Sequence, residues 1–466
     1  MSLNLNFNFN GKDTLSSIEL HQKVTSYNNT YSPKLIIDIG SFDNQIYETM
    51  IHQFKIYLNK PTKSNFMYFK NIGLITKEYM IVLLNELTEK DYNTICNLIS
   101  SDSIEESDQA IEFIIKSLEC CPSVIDVFSK YNFPKLCYEC LPQKRVVDTL
   151  KLFASINRNS LIELDFDFLK YKMNTYNIIY EKLSILVSCL QVFFEANIID
   201  DSYSEMFLLI LSMKIQNFLT IGEELQDSIL SLFSILENSS HLAILTSNNI
   251  HKFLMQNFTI FPKFEQRLLI LKIIQNLVQE QFIENLFESN ILYFINIVYY
   301  IINQKYIHEN KSLPILSLLI LIATKIVQIS SKCRKLLSDS DFTQNLRIAF
   351  YKWPYSHKIE IFKYVSSYIN FIDEEFSYNL IISFDIIPFL TEILYTDNND
   401  ILEMTLCIFM DSLNYQKDDN IFFQRLREIA FSDEFHSIIS QLCNEEDKQI
   451  SNLSRNIQNI LNNINV

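Results

Sequence analysis

The residues whose spacing is most suggestive of chemistry are four cysteines. Cys120 and Cys121 are adjacent, and Cys137 and Cys140 follow as a C-x-x-C pair. Tetrahedral zinc takes four soft ligands, often as two such pairs about 15–20 residues apart. The interval between the pairs suits zinc, but two adjacent thiolates seldom reach one ion. A redox pair is the second alternative, and core packing is the third. On a helix Cys137 and Cys140 lie one turn apart on one side, as core residues do, so we expect packing.

Other catalytic motifs are missing from the sequence. The 7 histidines are dispersed, and none forms the H-E-x-x-H pair of a metalloprotease. Only 4 glycines occur in 466 residues. This excludes glycine-built phosphate loops, dinucleotide fingerprints and nucleophile elbows, because they need positive φ or close backbone approach. Acidic pairs such as Asp165 with Asp167, or Glu374 with Glu375, are expected in any chain with 55 acidic residues. We predict no enzymatic activity, no catalytic residue, no metal site and no cofactor.

Charge narrows the classes of partner. A formal net charge of −16 and an isoelectric point near 5.0 argue against nucleic-acid binding, which needs a basic stripe. The densest basic clusters, Lys144-Arg145 and the 332–335 segment, are short. Most acidic side chains are expected to form solvated faces, and they also suit basic segments of a partner protein.

Composition also bears on location. The segment from Met1 to Asn10 lacks the basic region and apolar core of a signal peptide. Nine cysteines without such a signal predict free thiols in a reducing compartment, the cytoplasm or alternatively the nucleus. The apolar segment from Leu313 to Ile329 is about as long as the shortest membrane spans, but it contains Lys325 and Gln328. We expect this segment to be a buried helix and expect no membrane insertion.

The elements that must position these residues are helices. Residues 1–40 are predicted to form a poorly ordered or irregular arm, and the helical period dominates from Phe42 onward. Thr220 and Glu223 have the spacing of a capping box, and Ser103 is predicted to begin another helix. The helix after Glu223 places apolar residues on one stripe: Leu225, Ile229, Leu232, Phe233 and Leu236.

Two further helices are apolar on nearly every side. They span residues 267–278 and 401–413. A helix of this kind must be covered on most sides, whereas an amphipathic helix buries one face only. The alternation of both kinds indicates helices stacked in layers.

A short motif recurs among these helices. A helix that ends in a bulky apolar pair is followed by a polar turn and by a second helix with an apolar start. The clearest copies begin at Val127, Ile244, Leu286 and Ile381, and a weaker copy begins at Leu336. The copies recur with a period of about 40–47 residues and contain helices only. A period of this length is typical of armadillo and HEAT repeats.

Residues 386–413 resemble the second and third helices of an armadillo repeat. The family places a proline at the start of the second helix, as Pro388 stands here, followed by a polar turn and a long buried third helix. Pro134 and the helix after it are similar. Asparagine or aspartate replaces the family's usual glycine between the first and second helices: Asn132, Asn249, Asn290 and Asp385. These residue types tolerate left-handed conformations, so we expect the turn to persist.

The resemblance implies an all-α, right-handed superhelical solenoid of stacked armadillo/HEAT-like repeats over residues 41–466, with roughly eight to ten repeat-sized units. Proteins of this family usually bind an extended peptide or another protein in a concave groove. It therefore implies a non-catalytic scaffold or adaptor. The alternatives are a regulatory subunit of a membrane-associated complex, similar to the armadillo-like subunit of the vacuolar proton pump, and an armadillo-type chaperone exchange factor. Nuclear-import adaptors of the family carry a tryptophan ladder, which a chain with Trp353 alone lacks.

Overall fold

The computed structural model describes residues 44–60, 62, 65–72, 77–101, 103–217, 220–278, 290–303, 313–396, 398–414 and 420–464. These residues form helices and turns, and no strand occurs among them. The chain divides into two compact units, Met1–Ile199 and Asp200–Val466. The predicted arm at residues 1–40 lies outside the described residues, and the continuity of one solenoid over residues 41–466 stays a prediction.

The first unit consists of ten α-helices and two short 3₁₀ turns within its described part. The helices are α1 Asn44–Asn59, α2 Phe66–Ile72, α3 Lys77–Glu86, α4 Glu89–Leu98, α5 Ile104–Cys120, α6 Ile125–Lys130, α7 Phe133–Glu139, α8 Lys144–Asn157, α9 Phe166–Thr175 and α10 Tyr180–Glu195. The 3₁₀ turns are Pro122–Val124 and Arg158–Leu161.

The second unit continues the same alternation of short and long helices. Its helices are α11 Asp201–Gln216, α12 Glu223–Ser234, α13 Ser239–Ser247, α14 Ile250–Asn257, α15 Phe264–Leu277, α16 Ile291–Asn303, α17 Leu313–Ile329, α18 Ser331–Ser338, α19 Asp341–Lys352, α20 Tyr355–Ser366, α21 Glu375–Phe384, α22 Ile387–Ile393, α23 Asn399–Asn414, α24 Ile421–Ala430, α25 Asp433–Leu442 and α26 Lys448–Ile464. A 3₁₀ turn, Ile369–Phe371, precedes α21.

Three consecutive helices form the repeating element. Five such triplets lie within the described residues, namely α6–α8, α13–α15, α18–α20, α21–α23 and α24–α26. In each triplet the second helix packs against the third. The third helices of consecutive repeats also pack side by side: α5–α8–α10 in the first unit, and α12–α15–α17–α20 and α23–α26 in the second. This arrangement defines an all-α fold of stacked armadillo-like repeats.

The turn between the first and second helices depends on a residue in the left-handed region. Asn132, Asn249 and Asp385 have φ of 54°, 56° and 44°, and each stands at the corner between two helices. The predicted replacement of glycine by asparagine or aspartate is confirmed at these corners. The turn before Asn290 falls within residues 279–289, outside the described part of the chain.

A second kind of corner occurs in the repeats that begin with α18 and α24. There a serine in extended conformation precedes the second helix, Ser340 with φ of −88° and Ser432 with φ of −76°. The Ser432 hydroxyl accepts a hydrogen bond from the backbone N–H of Phe435, as an N-cap does. The weaker sequence copy that begins at Leu336 thus has a different turn, which explains its poorer match.

Predicted helix starts have mixed outcomes. Ser103 caps α5 by accepting a hydrogen bond from the backbone N–H of Glu106, which confirms that start. The capping box at Thr220 is wrong, because α12 begins at Glu223 and its N-cap is Gly222, which has no side chain to accept a bond. The Thr220 hydroxyl instead donates to the Asn217 carbonyl at 2.8 Å.

The apolar stripes and the all-round apolar helices are packed as expected. All five predicted stripe residues of the helix after Gly222 are buried. In residues 267–278 and 401–413 every residue except Asp411 is buried or half-buried, because these third helices contact several neighbouring helices. Packing of this kind removes apolar surface from water, which stabilises the fold by about 25 cal/mol for each Å² buried.

The helix Leu313–Ile329 is buried on most of its sides. It packs against α15 and α20, and Leu319, Ile322 and Ile326 are each at most 1% exposed. Among the described residues no single helix is long and apolar enough to cross a membrane, and one pair bent by 65°, α21 with α22, meets that test on length and composition alone.

Candidate functional site

Third helices of the second unit present one side to solvent. Their buried positions are in register: Ile229, Ile270, Leu319 and Ile361 are equivalent in α12, α15, α17 and α20, and all are at most 1% exposed. Two sides of each inner helix contact neighbouring third helices, and another contacts shorter helices of the repeat. The remaining side is uncovered, so its side chains form a surface that runs across the four helices.

We call this surface the open face. Its members are the exposed or partly exposed side chains at equivalent positions of the four helices: Glu224, Asp227, Ser228 and Ser231 in α12; Glu265, Leu268, Leu269 and Lys272 in α15; Pro314, Ser317, Leu318, Leu321 and Lys325 in α17; and Ser356, Ile359, Glu360 and Lys363 in α20. A binding surface made of successive helices in register suits an extended ligand.

A polar cluster joins the first two helices of the open face. The Lys263 ammonium lies 2.8 Å from the Asp227 carboxylate and 3.1 Å from that of Glu223. The Gln266 amide also donates to Asp227 at 2.7 Å. The hydrogen bond to Asp227, and to a smaller extent the one to Glu223, raises the pKa of the Lys263 ammonium. These charges satisfy one another, so the cluster fixes the register of α15 on α12.

Asn276 makes a second bridge between the same helices. Its side-chain amide donates to the carbonyls of Ser234 at 3.1 Å and Leu236 at 3.0 Å, at the carboxyl end of α12. The last carbonyls of a helix lack intrahelical partners, so the amide satisfies groups that would otherwise be unpaired. Asn276 therefore joins the repeats rather than offering its amide to a ligand.

Polar bridges between repeats occur in the first unit as well. Arg145 of α8 pairs with Glu112 of α5 at 3.0 Å. Lys130 pairs with Glu89 at 2.8 Å. These ion pairs join positions one repeat apart, and both are exposed, so each stabilises the fold by at most about 1 kcal/mol. The basic cluster at residues 144–145 is thus partly used within the fold.

The four cysteines lie in the core or partly within it. Cys137 is fully buried, and burial raises the pKa of its thiol well above the usual range. The Cys140 thiol donates to the Ile99 carbonyl at 3.5 Å, and burial also raises its pKa. Cys121 is buried and lies 3.2 Å from the Ser123 hydroxyl, while Cys120 is partly exposed. Within the described ranges no group of three or more His, Cys, Asp or Glu is placed to hold a metal ion.

The paired acidic residues have structural contacts. Asp165 caps α9 by accepting from the backbone N–H of Asp167. Glu374 forms a two-bonded ion pair with Arg334, a member of the 332–335 basic cluster. Trp353 packs edge-on against His357, with 5.8 Å between ring centroids. The Glu374 carboxylate of the predicted acidic pair is therefore engaged within the fold.

The sequence did not identify the open face. One sequence does not separate groove positions from outward-facing ones, because both are unburied positions of amphipathic helices. The signal that identifies them is the register of the buried residues from one third helix to the next. That register requires knowledge of which helices are neighbours.

The comparisons with known proteins agree with the fold. No protein-family model and no curated protein matches the sequence. The crystal structure of an engineered protein is similar with a TM-score of 0.64 and 9% identity, covering 89% of this chain and 98% of that chain. At this identity the likeness shows the fold alone.

Designed armadillo repeat proteins are also among the similar structures. One matches with a TM-score of 0.42 and 11% identity, and another, in complex with a peptide (KR)4, with 0.42 and 10%. Each match covers 55% of this chain and 99% of the designed chain. The chain has an armadillo-like helical-repeat fold, as its three-helix units and left-handed corners show.

Proposed function

We propose that this protein is a non-catalytic interaction scaffold that binds a segment of a partner protein along the open face. The observation that carries this proposal is the alignment of solvent-facing side chains on four consecutive third helices whose other sides are buried. Third helices pack about 8–10 Å apart, and an extended chain advances about 3.3 Å per residue. An extended segment that crosses the helices would therefore advance from one helix to the next about every three residues, and one of its side chains would contact each helix.

Basic segments are one class of partner in this proposal. The net charge of −16 attracts them at long range. Glu224 and Glu265 are exposed at the start of α12 and α15, outside the Lys263 cluster. These two carboxylates would pair with basic residues of the partner. A cytoplasmic location belongs to the same proposal and rests on composition. No feature of the described residues favours the pump-subunit or the exchange-factor alternative.

Affinity purification with mass spectrometry tests this proposal when it is combined with blocking variants. Ser228→Trp and Ser317→Trp place a bulky ring on the open face, where both serines are partly exposed. The matched control is Ser437→Trp, at an exposed position of α25. We expect partners of the wild-type chain to be lost from the two open-face variants and kept by the control. Partners that all three variants retain equally would exclude the open face as the binding surface.

A further inference from the structure

The chemistry of the open face changes along its length. At α12 the surface is acidic or small, with Glu224, Asp227, Ser228 and Ser231. From the middle of α15 to α20 it consists mainly of leucine, isoleucine and lysine. We name this second region the leucine–lysine patch, which comprises Leu268, Leu269, Lys272, Leu318, Leu321, Lys325 and Ile359.

The apolar members of the patch pair up between helices. Leu269 and Leu318 are equivalent in register on α15 and α17, and Glu360 stands at that position of α20. Leu268 and Ile359 are equivalent on α15 and α20, and Ser317 stands at that position of α17. Leu321 is 40% exposed although it lies in the middle of a third helix. Single exposed leucines are ordinary on protein surfaces, but several apolar side chains at neighbouring open-face positions, flanked by charged residues, are typical of an interaction site.

The two lysines of the patch lack an ion-pair partner within the described ranges. Lys272 and Lys325 form no ion pair with any residue that the structure describes. Lys263 is neutralised by two carboxylates, and Lys363 at the far border pairs with Glu360 at 2.9 Å. In a chain of net charge −16, two lysines that have no ion-pair partner in the described part of the chain and lie beside exposed or half-buried leucines are a local reversal of charge. Complementary potentials favour an acidic ligand there.

We infer that the leucine–lysine patch binds an acidic segment of a partner protein that carries apolar anchor residues. Leucine-sized side chains would pack on Leu269, Leu318 and Leu321, where burial supplies most of the affinity. Carboxylates would pair with Lys272 and Lys325, which sets orientation and rejects basic sequences at this part of the face. The inference rests on the proposed function and assigns different partner chemistry to two parts of the open face.

Three short fluorescein-labelled peptides test this assignment by fluorescence anisotropy with the full chain. All three carry leucine at every third position, and the residues between are glutamate with serine, lysine with serine, or glutamine with serine. We expect the glutamate peptide to bind at least about tenfold more tightly than the lysine peptide, a difference of about 1.4 kcal/mol. The preference should decline as salt is raised, because exposed charges are screened.

Charge-reversal variants locate the binding. The double variant Lys272→Glu with Lys325→Glu should weaken binding of the glutamate peptide by about tenfold. Lys335→Glu, at an exposed position of α18, is the matched control and should change binding less than about twofold. Circular dichroism and thermal unfolding of each variant confirm that the fold is intact.

The outcomes separate this inference from the proposed function. Equal binding of the three peptides, no binding of any, or a preference for lysine overturns the inference, as does a double variant that binds like the wild type. If any of these results accompanies loss of partners from Ser228→Trp and Ser317→Trp, the scaffold function stands and only the acidic assignment fails. If the blocking variants keep every partner, the scaffold function itself is excluded.

Discussion

Arg334 and Glu374 form a two-bonded ion pair between two consecutive repeats. The Arg334 Nε donates to Glu374 Oε2 at 2.8 Å, and its Nη2 donates to Oε1 at 2.9 Å. Arg334 belongs to α18 and is 4% exposed, whereas Glu374 is the residue that precedes α21. The guanidinium also lies over the Phe371 ring, 3.4 Å from its centroid, and donates to the Val327 carbonyl. One buried side chain of α18 thus contacts α17, the 3₁₀ turn Ile369–Phe371 and the residue that precedes α21.

Removal of Glu374 should therefore destabilise the protein strongly. Glu374→Gln leaves the buried Arg334 charge without its partner, and such a loss costs about 3–5 kcal/mol in fully buried pairs. Because the Glu374 side chain is 31% exposed, we expect about 2–3 kcal/mol here. Urea unfolding followed by circular dichroism measures the change. The double variant Arg334→Met with Glu374→Gln should be more stable than Glu374→Gln alone, and a lower stability would contradict this account.

The left-handed corners give a second prediction. Asn249 has φ of 56°, and its side chain makes no capping hydrogen bond, so backbone conformation decides its effect. Asn249→Ala should lower the free energy of unfolding by about 1 kcal/mol, whereas Asn249→Gly should leave it nearly unchanged. The control is Asn93→Ala, at an exposed helical position where alanine is favourable. Equal effects of alanine and glycine at position 249 would mean that the corner does not need a left-handed residue.

These corners also show how far the sequence predicts the fold. Helix periodicity, Pro134 and Pro388 at second-helix starts, and asparagine at the corners follow local rules, so each was predictable. Thr220 was mispredicted as part of a capping box because the helix begins after Gly222, and spacing alone does not fix which residue is the N-cap. Boundaries of this kind depend on tertiary packing.

The candidate site was less predictable than the fold. Lys272 and Lys325 are ordinary surface lysines in the sequence, and only the packing of α15 against α17 places them on one face. Arg334 belonged to a short basic cluster without an evident partner, since Glu374 lies one repeat away. Contacts between repeats join residues far apart in sequence, and periodicity within one helix carries no information about them.

His251 should make stability dependent on pH. It is 5% exposed, its Nδ1 has no hydrogen-bond partner among the described residues, and burial together with nearby Lys252 lowers its pKa from 6.5 to about 4. The unfolded chain binds the proton first, so the stabilisation is complete above pH 6.5 and is lost as pH falls from 6.5 to about 4. Burial lowers the pKa of His241 and His357 too, and they add to the same trend.

Variants isolate the contribution of this histidine. His251→Gln cannot titrate, so its free energy of unfolding should fall less steeply than that of the wild type between pH 6.5 and 4. His52→Gln, at an exposed position of α1, is the control and should keep the wild-type slope. Urea titrations at several pH values measure both slopes. Parallel curves for His251→Gln and the wild type would show that His251 is not buried in its neutral form.

Thiol reactivity should follow burial rather than catalytic need. Cys137 and Cys189 are fully buried, and burial raises the pKa of Cys96 to about 12. Only a thiolate attacks an alkylating reagent, so these three should react with iodoacetamide only as fast as the core opens. Cys407 is partly exposed and should react before these three cysteines. Its partial burial and the nearby Glu403 and Asp411 carboxylates raise the pKa of its thiol as well. Mass spectrometry of the native protein follows each site, with the urea-unfolded chain as the fully reactive control.

The same measurements distinguish a packed Cys137 from a thiol or zinc site. Cys137→Ala should cost about 1–2 kcal/mol of stability through a small cavity and should leave partner binding unchanged. Cys140→Ala, at a partly exposed position, should cost less. Rapid alkylation of either thiol in the native protein, or zinc that stays bound at one ion per chain and is lost on both substitutions, would establish chemistry at this pair. Slow alkylation would instead show that both thiols serve as packing residues. A reactive cysteine needs a stabilised thiolate, and burial here disfavours the thiolate by raising the pKa of both thiols.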